Sequence, residues 1–294
     1  MDALYIILTA TLIASSCAIL GTFLMLRKMS MVGDAISHSV LPGIVIAYLI
    51  AGSRDSYIML LGAAITGVLT TLFIEVLTKT VKVKEDASIG VVFTFLFSIG
   101  IILISFYTGQ VDLDQDCVLY GEIAYVPLDV IAFGSDIFIP RALLINSVVF
   151  FVVVYIVYRA YKAFQLCSFN EDFARSLGIN ARFWHLLLMS LVSIVTVVAF
   201  ESVGAILVVA LLSVIPASIY LLNGSLKTIL WMSVLIGFLV SLAGFYLASL
   251  TNTSIAGSIT VCSGLLFAIS FAVSRVGKKQ RIKKHLLIRQ SDLS

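Results

Sequence analysis

The chain has 294 residues, 61% of them hydrophobic and only 12% charged, with a formal net charge of +3 and a mean hydropathy of +1.12. A soluble domain carries about 25% charged residues, so a single water-facing core is excluded. The apolar runs are close to 20 residues long and do not alternate, which points to a polytopic α-helical membrane protein and away from a β-barrel.

Apolar periodicity and length predict spans at 4–26, 31–50, 57–78, 87–107, 141–161, 183–200, 203–222, 228–250 and 256–274. The expected fold is therefore all-α with eight or nine transmembrane helices. The lower number applies if 183–222 is not two full spans or one run is re-entrant; the apolar stretch 117–139 is a further segment able to dip into the membrane. The N-terminus lacks a positively charged leader region and reads as a retained first span. Between the first two runs lies RKMSMVGDAISHSVLPG, residues 27–43. Asp34 and His38 are four apart there, so a helix places both on one face about one turn apart. Pro42 and Gly43 follow, where a bend or a close backbone approach is expected. Ala63 and Gly67 in the third run, and Gly237, Ser241 and Gly244 in the eighth, are small residues at helix-packing spacing.

The loops sort by charge. Arg27 and Lys28, Lys79, Lys82 and Lys84, the segment 159–182, Lys227 and the tail carry the Lys and Arg; 108–140 has none but holds Asp112, Asp114, Asp116, Glu122, Asp129 and Asp136. By the positive-inside rule the first group is cytoplasmic and the second external. From Arg275 onward seven Lys or Arg face one acid, leaving a net of −3 for the rest of the chain. The organisation expected is a transmembrane domain over 1–274 and a basic cytoplasmic tail over 275–294, held by anionic headgroups rather than by nucleic acid. Cys17, Cys117, Cys167 and Cys262 are scattered without metal-ligand spacing, and Cys117 and the acidic loop have no assigned role.

In the cytoplasmic segment SFNEDFARSLGINARFW (168–184), Asn170 is a natural N-cap, and Glu171 and Asp172 sit where the helix dipole favours acids. Phe173, Ala174 and Leu177 form an apolar stripe, and Gly178 is a natural C′ residue. A short capped helix at about 168–180 follows. Its stripe suits either the bilayer surface or a groove on a partner protein. The chain has no GxxxxGK[ST], so any ATP-driven work belongs to another polypeptide.

Four stretches, in order, resemble the permease subunits of ABC-type manganese/zinc/iron importers, the ABC-3 family: GTFLMLRKMSMVGDAISHSVLPGIVIAYLI (21–50), VDLDQDCVLYGEI (111–123), SFNEDFARSLGI (168–179) and VGAILVVALLSVIPASIYLL (203–222). Two departures from that pattern are present. Ala217-Ser218-Ile219-Tyr220 replaces a run of small residues after Pro216, and the last loop, NTSIAGS (252–258), has no acid. The resemblance implies a subunit of a bacterial cytoplasmic membrane transporter with no permanently bound cofactor. Its implied partners are an ATP-binding cassette subunit, an extracytoplasmic metal-binding protein and a second permease chain in a homo- or heterodimer. Residues 168–179 would couple to the ATPase through Glu171, Phe173, Ala174, Leu177 and Gly178.

Carboxylate plus imidazole suits Mn, Fe(II) or Zn, and an ionisable residue within a span marks a pathway by default. Against this, Asp34 also fits a helix N-cap and His38 a hydrogen-bonded neighbour. Two ligands do not complete a shell. Glu201, which interrupts the apolar stretch 186–222, is the further metal candidate and equally a turn residue at the outer interface. The expected topology sets Asp34 and His38 toward the inner side and Glu201 toward the outer, where it would serve an outer gate. Glu75 is expected to snorkel at an inner helix end, and His185 to be interfacial. The alternatives are a permease for a siderophore or cobalamin chelate, whose large ligand calls for no ion-sized pair, and an intramembrane hydrolase, for which nucleophile geometry is missing.

Overall fold

The structure is a computed structural model and describes residues 2–52, 56–107, 123–133, 137–222 and 225–291. The acidic residues Asp112, Asp114, Asp116, Glu122 and Asp136, with Cys117, lie outside the described residues. The helices are α1 (Asp2–Leu26), α2 (Val32–Ser39), α3 (Leu41–Ala51), α4 (Ser56–Lys79), α5 (Glu85–Tyr107), α6 (Arg141–Phe169), α7 (Glu171–Ser176), α8 (Ala181–Val203), α9 (Ala205–Tyr220), α10 (Leu226–Thr251) and α11 (Ile255–Ser291). Between α5 and α6, a 3-10 turn (Ile123–Leu128) precedes an antiparallel hairpin of β1 (Val130–Phe133) and β2 (Ile137–Pro140), which pairs Ile131 with Ile139. From Ile123 onward this segment is thus a turn and a hairpin, a small β addition to a helical fold.

Among the described residues, eight segments are long and apolar enough to cross a membrane, α2 and α3 counting as one. The remaining predicted span, 203–222, is α9, whose 16 residues extend only about 24 Å, short of a hydrocarbon core of about 30 Å. It nevertheless runs between the two ends of the bundle. Its start follows Glu201 and Ser202, which line a cavity at one end. Beyond its far end, Lys227 Nζ lies 5.8 Å from the Tyr161 ring, on the last third of α6. The chain reverses from α8 into α9 at Gly204, whose φ of +79° suits glycine.

The core helices are α1 and α8, buried around most of their circumference; a helix apolar on every side must be interior. Gly21 lets α1 meet the backbone of α9, where any Cβ would collide with the Leu212 carbonyl. Gly237 meets Ala14 and Ser15 of α1, Gly244 meets Ile259, and Gly67 meets Ser193, so the small residues are close-approach points. Several buried hydroxyls are satisfied within their own helices: Thr22, Ser37, Thr70, Ser233 and Ser241 each donate to the carbonyl four residues back. By contrast α5, α6 and the apolar part of α11 leave most of their surface open, as lipid-facing helices do. Helix α11 continues to Ser291 without a break.

Candidate metal path and coupling face

The second predicted span is two helices. The chain leaves α1 at Arg27, turns at Lys28 (φ +64°) and enters α2 at Val32. Val40 separates α2 from α3, and Pro42 occupies the first turn of α3, where its missing N–H costs nothing. Asp34 lies in the first turn of α2 behind an N-cap at Met31, so it is not itself the cap. Its Oδ1 is 3.8 Å from His38 Nε2, and the side chains are 51% and 33% exposed. The imidazole rests against two phenylalanines of α5, with centroids 5.4 Å from Phe93 and 5.7 Å from Phe97. Those rings lie roughly 12–18 Å along α5 from Glu85 at 1.5 Å per residue. His38 therefore lies beside the middle third of α5. Ser39 is bonded to Thr70 of α4 (Oγ–Oγ1, 2.8 Å), and Ser37 donates to the Gly33 carbonyl. Neither hydroxyl is turned to His38 as a nucleophile.

Glu201 is elsewhere. It sits at the last turn of α8 with Arg141, whose Nη2 is 3.8 Å from Glu201 Oε1 and whose Nη1 is 4.0 Å from Asp129 Oδ2. These residues and Tyr125 line a cavity of about 190 Å³ at the end of the bundle opposite the basic loops. The structure thus keeps Asp34 and His38 together and holds Glu201 apart from them. Among the described residues, no group of three or more His, Cys, Asp or Glu is placed to hold a metal ion.

At the basic end, a cavity of about 460 Å³ is lined by residues that include Arg27, Glu75, Lys79, Glu171 and His185. Glu75 does not snorkel. Its side chain is 3% exposed, 3.3 Å from Lys79 Nζ and 3.5 Å from Arg182 Nε, and its oxygens are held by charge without a well-aligned hydrogen bond. His185 shares a 3.0 Å bond with Arg27, which also donates to Ser168. It is thus part of this network at the basic end of the bundle, near the start of α8. The i, i+4 spacing of Glu75 and Lys79 was the available signal, but only the fold brings Arg182 and Glu171 to them.

Helix α7 borders this cavity. Asn170 caps it by accepting from the Phe173 N–H at 3.0 Å, and Gly178 leaves it at φ +78°. The predicted apolar stripe is split: Ala174 is fully buried with Cys167 and Ala181, whereas Phe173 and Leu177 are 52% and 56% exposed and point away from the bundle. Glu171 accepts from Arg175 at 2.7 Å and lies 3.8 Å from Lys79. Burial alone would raise the Glu171 carboxyl. The Arg175 hydrogen bond and the charges of Lys79 and Arg175 outweigh it and hold the carboxyl below its ordinary range.

Known proteins share this sequence and architecture. The manganese transport system membrane protein MntD of Bacillus subtilis is 44% identical over 92% of this chain and 91% of its own length. The zinc transport system membrane protein TroD of Treponema pallidum is 38% identical over 92% of this chain and 73% of its own. The structure of PsaBC from Streptococcus pneumoniae in complex with Fab superposes with a TM-score of 0.73 at 30% identity, covering 91% of this chain and 90% of that one. A metal-chelate type ABC transporter in an inward-facing conformation superposes with a TM-score of 0.64 at 17% identity, a likeness of fold alone. Residues 3–274 match the ABC 3 transport family, and the chain is a multi-pass membrane permease belonging to that family.

Proposed function

We propose that the chain is the membrane-spanning subunit of an ATP-driven importer of divalent metal ions, manganese or zinc. In this reading it forms the ion path and leaves ATP hydrolysis to a separate cassette subunit. The observation that carries the reading is the Asp34–His38 pair: a carboxylate and an imidazole 3.8 Å apart, half-open, within a span. That donor set suits a borderline divalent cation, and a two-residue set favours release over permanent retention. The hydroxyls of Ser37 and Ser39 are committed elsewhere, which argues against the hydrolase alternative. The names of the relatives, manganese and zinc systems, favour an ion over a chelate.

The remaining ligands come from a second permease chain or from water. Asp34 is half-exposed on α2, a carboxylate that lipid would not solvate, and a second chain is the fitting cover. The basic end faces the cytoplasm, with the C-terminal tail held at anionic headgroups. Phe173 and Leu177 of α7 dock the ATPase, anchored by Ala174 and framed by Glu171 and Gly178. The end bearing Glu201 faces outward, toward an extracytoplasmic binding protein, with Glu201 at an outer gate and not in the Asp34–His38 shell.

Uptake by the complete complex in vesicles tests this, offered Mn(II), Zn(II) and Fe(II) in turn. Asp34→Ala and His38→Ala should each abolish uptake while the complex with the ATPase still assembles. Wild-type uptake in either variant overturns the assignment of the ion path.

A further inference from the structure

Helix α4 touches both working parts of the molecule. Near its middle, Thr70 holds Ser39, the residue after His38, through the 2.8 Å hydroxyl bond. At its end, Lys79 lies 3.3 Å from Glu75 on the same helix and 3.8 Å from Glu171 on α7. Thr70 and Lys79 are about 14 Å apart along one rigid helix at 1.5 Å per residue. What α4 grips is the short helix α2, eight residues long, joined to α1 through the Lys28 turn and running on into α3 through Val40, which itself keeps helical dihedrals. Helix α3 packs on α4 as well, with Gly43 against Gly62 and Thr66, so a displacement of α4 reaches the C-terminal turn of α2 with α3 carried along and without having to bend α1. Glu75 adds a second tie, to Arg182 at the start of α8, so α4 and α8 are clamped together beside the coupling helix.

We propose that Lys79 is a positioning residue for transport. Its ammonium joins coupling helix α7 to α4, and α4 carries the displacement to α2 and the Asp34–His38 pair. The inference rests on the import reading and adds to it the route by which the ATPase acts on the ion. The arrangement fits transmission: Glu171 is engaged by Lys79 on α4 and by Arg175 on α7 itself, so this carboxylate is shared between the docking helix and the bundle.

The test uses the full chain in complex with its ATPase and binding protein, reconstituted in vesicles. Two quantities are read: Mn(II) ions moved per ATP hydrolysed, and equilibrium Mn(II) binding to the permease. Lys79→Met should lower the ions per ATP by about five-fold or more, the lower range of typical coupling between sites, with Mn(II) binding unchanged. Lys79→Arg should restore the ratio, which a mere loss of packing would not predict. Glu171→Gln should lower the ratio as well, and the double variant should fall no further than the worse single one. A wild-type ratio in Lys79→Met overturns the proposal, as do defects in the two single variants that add independently. If Lys79→Met does not assemble, Glu171→Gln decides alone, because it leaves the Lys79–Glu75 pair intact; a wild-type ratio there overturns the proposal. A wild-type complex that moves no metal overturns the import reading and this one together, whereas normal uptake with unaltered ratios overturns this one only.

Discussion

At the residue scale, His38, the proposed ligand, shows what a metal-binding imidazole inside a membrane bundle would need besides its donor atom. An imidazole with two free χ angles must be ordered on each binding event, and that ordering weakens affinity. Here the tilted Phe93 and edge-on Phe97 rings, 5.4 and 5.7 Å away, restrict the ring. Aromatic contacts of this kind contribute about 0.5–1.5 kcal/mol beyond area burial, equivalent to roughly 2- to 10-fold in a dissociation constant. Phe97→Ala should therefore weaken Mn(II) binding by about that factor, measured by calorimetry on the purified complex, while Asp34 and His38 stay in place. Unaltered affinity would mean that α2 alone orders the ring. The Asp34–His38 pair was legible in sequence because i, i+4 spacing is a local property. The phenylalanines were not, because two aromatics on an apolar helix look like any lipid-facing or core pair until α2 is laid beside α5. Glu75 was misjudged for the same reason: a carboxylate near a helix end reads as snorkelling unless Arg182, more than a hundred positions later, is known to close over it.

At the element scale, α7 divides between local and tertiary information. Its caps follow from Asn170 and Gly178, and both are where sequence puts them. The orientation of its stripe does not, since a helix of six residues has no single face until something packs on it. Ala174 turned inward and Phe173 and Leu177 outward, which separates anchoring from docking and makes the two separately testable. Ala174→Leu forces a larger side chain against Cys167 and Ala181 and should destabilise the permease by about 1–3 kcal/mol, seen as a lower unfolding midpoint in detergent. Phe173→Asp should leave that midpoint unchanged and weaken binding of the ATPase by at least about tenfold, as for an exposed aromatic anchor of an interface. The charges around α7 add a pH expectation. The Glu171 carboxyl is held below its ordinary range, so its ion pairs contribute fully above the unfolded carboxylate value of about 4.3 and are lost as pH falls through the lower folded value. Amide exchange protection of α7, corrected for intrinsic exchange, should accordingly stay flat from about pH 8 to pH 5, well above that value, and a fall near neutrality would show that another group holds the helix.

At the scale of the whole molecule, hydropathy alone recovered the spans, because 20-residue apolar runs answer to bilayer thickness and not to partners. What it could not resolve was whether 183–222 crosses once or twice. The stretch is apolar throughout, and its reversal rests on one glycine, Gly204, with positive φ. The geometry favours two crossings, since α9 leaves the Glu201 end and delivers the chain to Lys227 beside Tyr161. A helix of about 24 Å manages this only if the bundle, not lipid, surrounds it, and α9 is in fact packed on α1, α10 and α11 with Gly21 admitting its backbone. The crossing count fixes the sidedness of everything after Gly204. Single cysteines placed at Lys82, Leu222 and Thr253 in an otherwise cysteine-free chain therefore form a direct test. With α9 as a full crossing, a membrane-impermeant maleimide added to right-side-out vesicles should label position 253, and should label 82 and 222 only after permeabilisation. Labelling of 222 from outside would make α9 a re-entrant segment. It would also turn α10 and α11 over and place the basic residues after Arg275 on the side where the positive-inside rule does not put them. That rule is a charge count and the Lys227–Tyr161 contact a packing geometry, and both favour a ninth crossing.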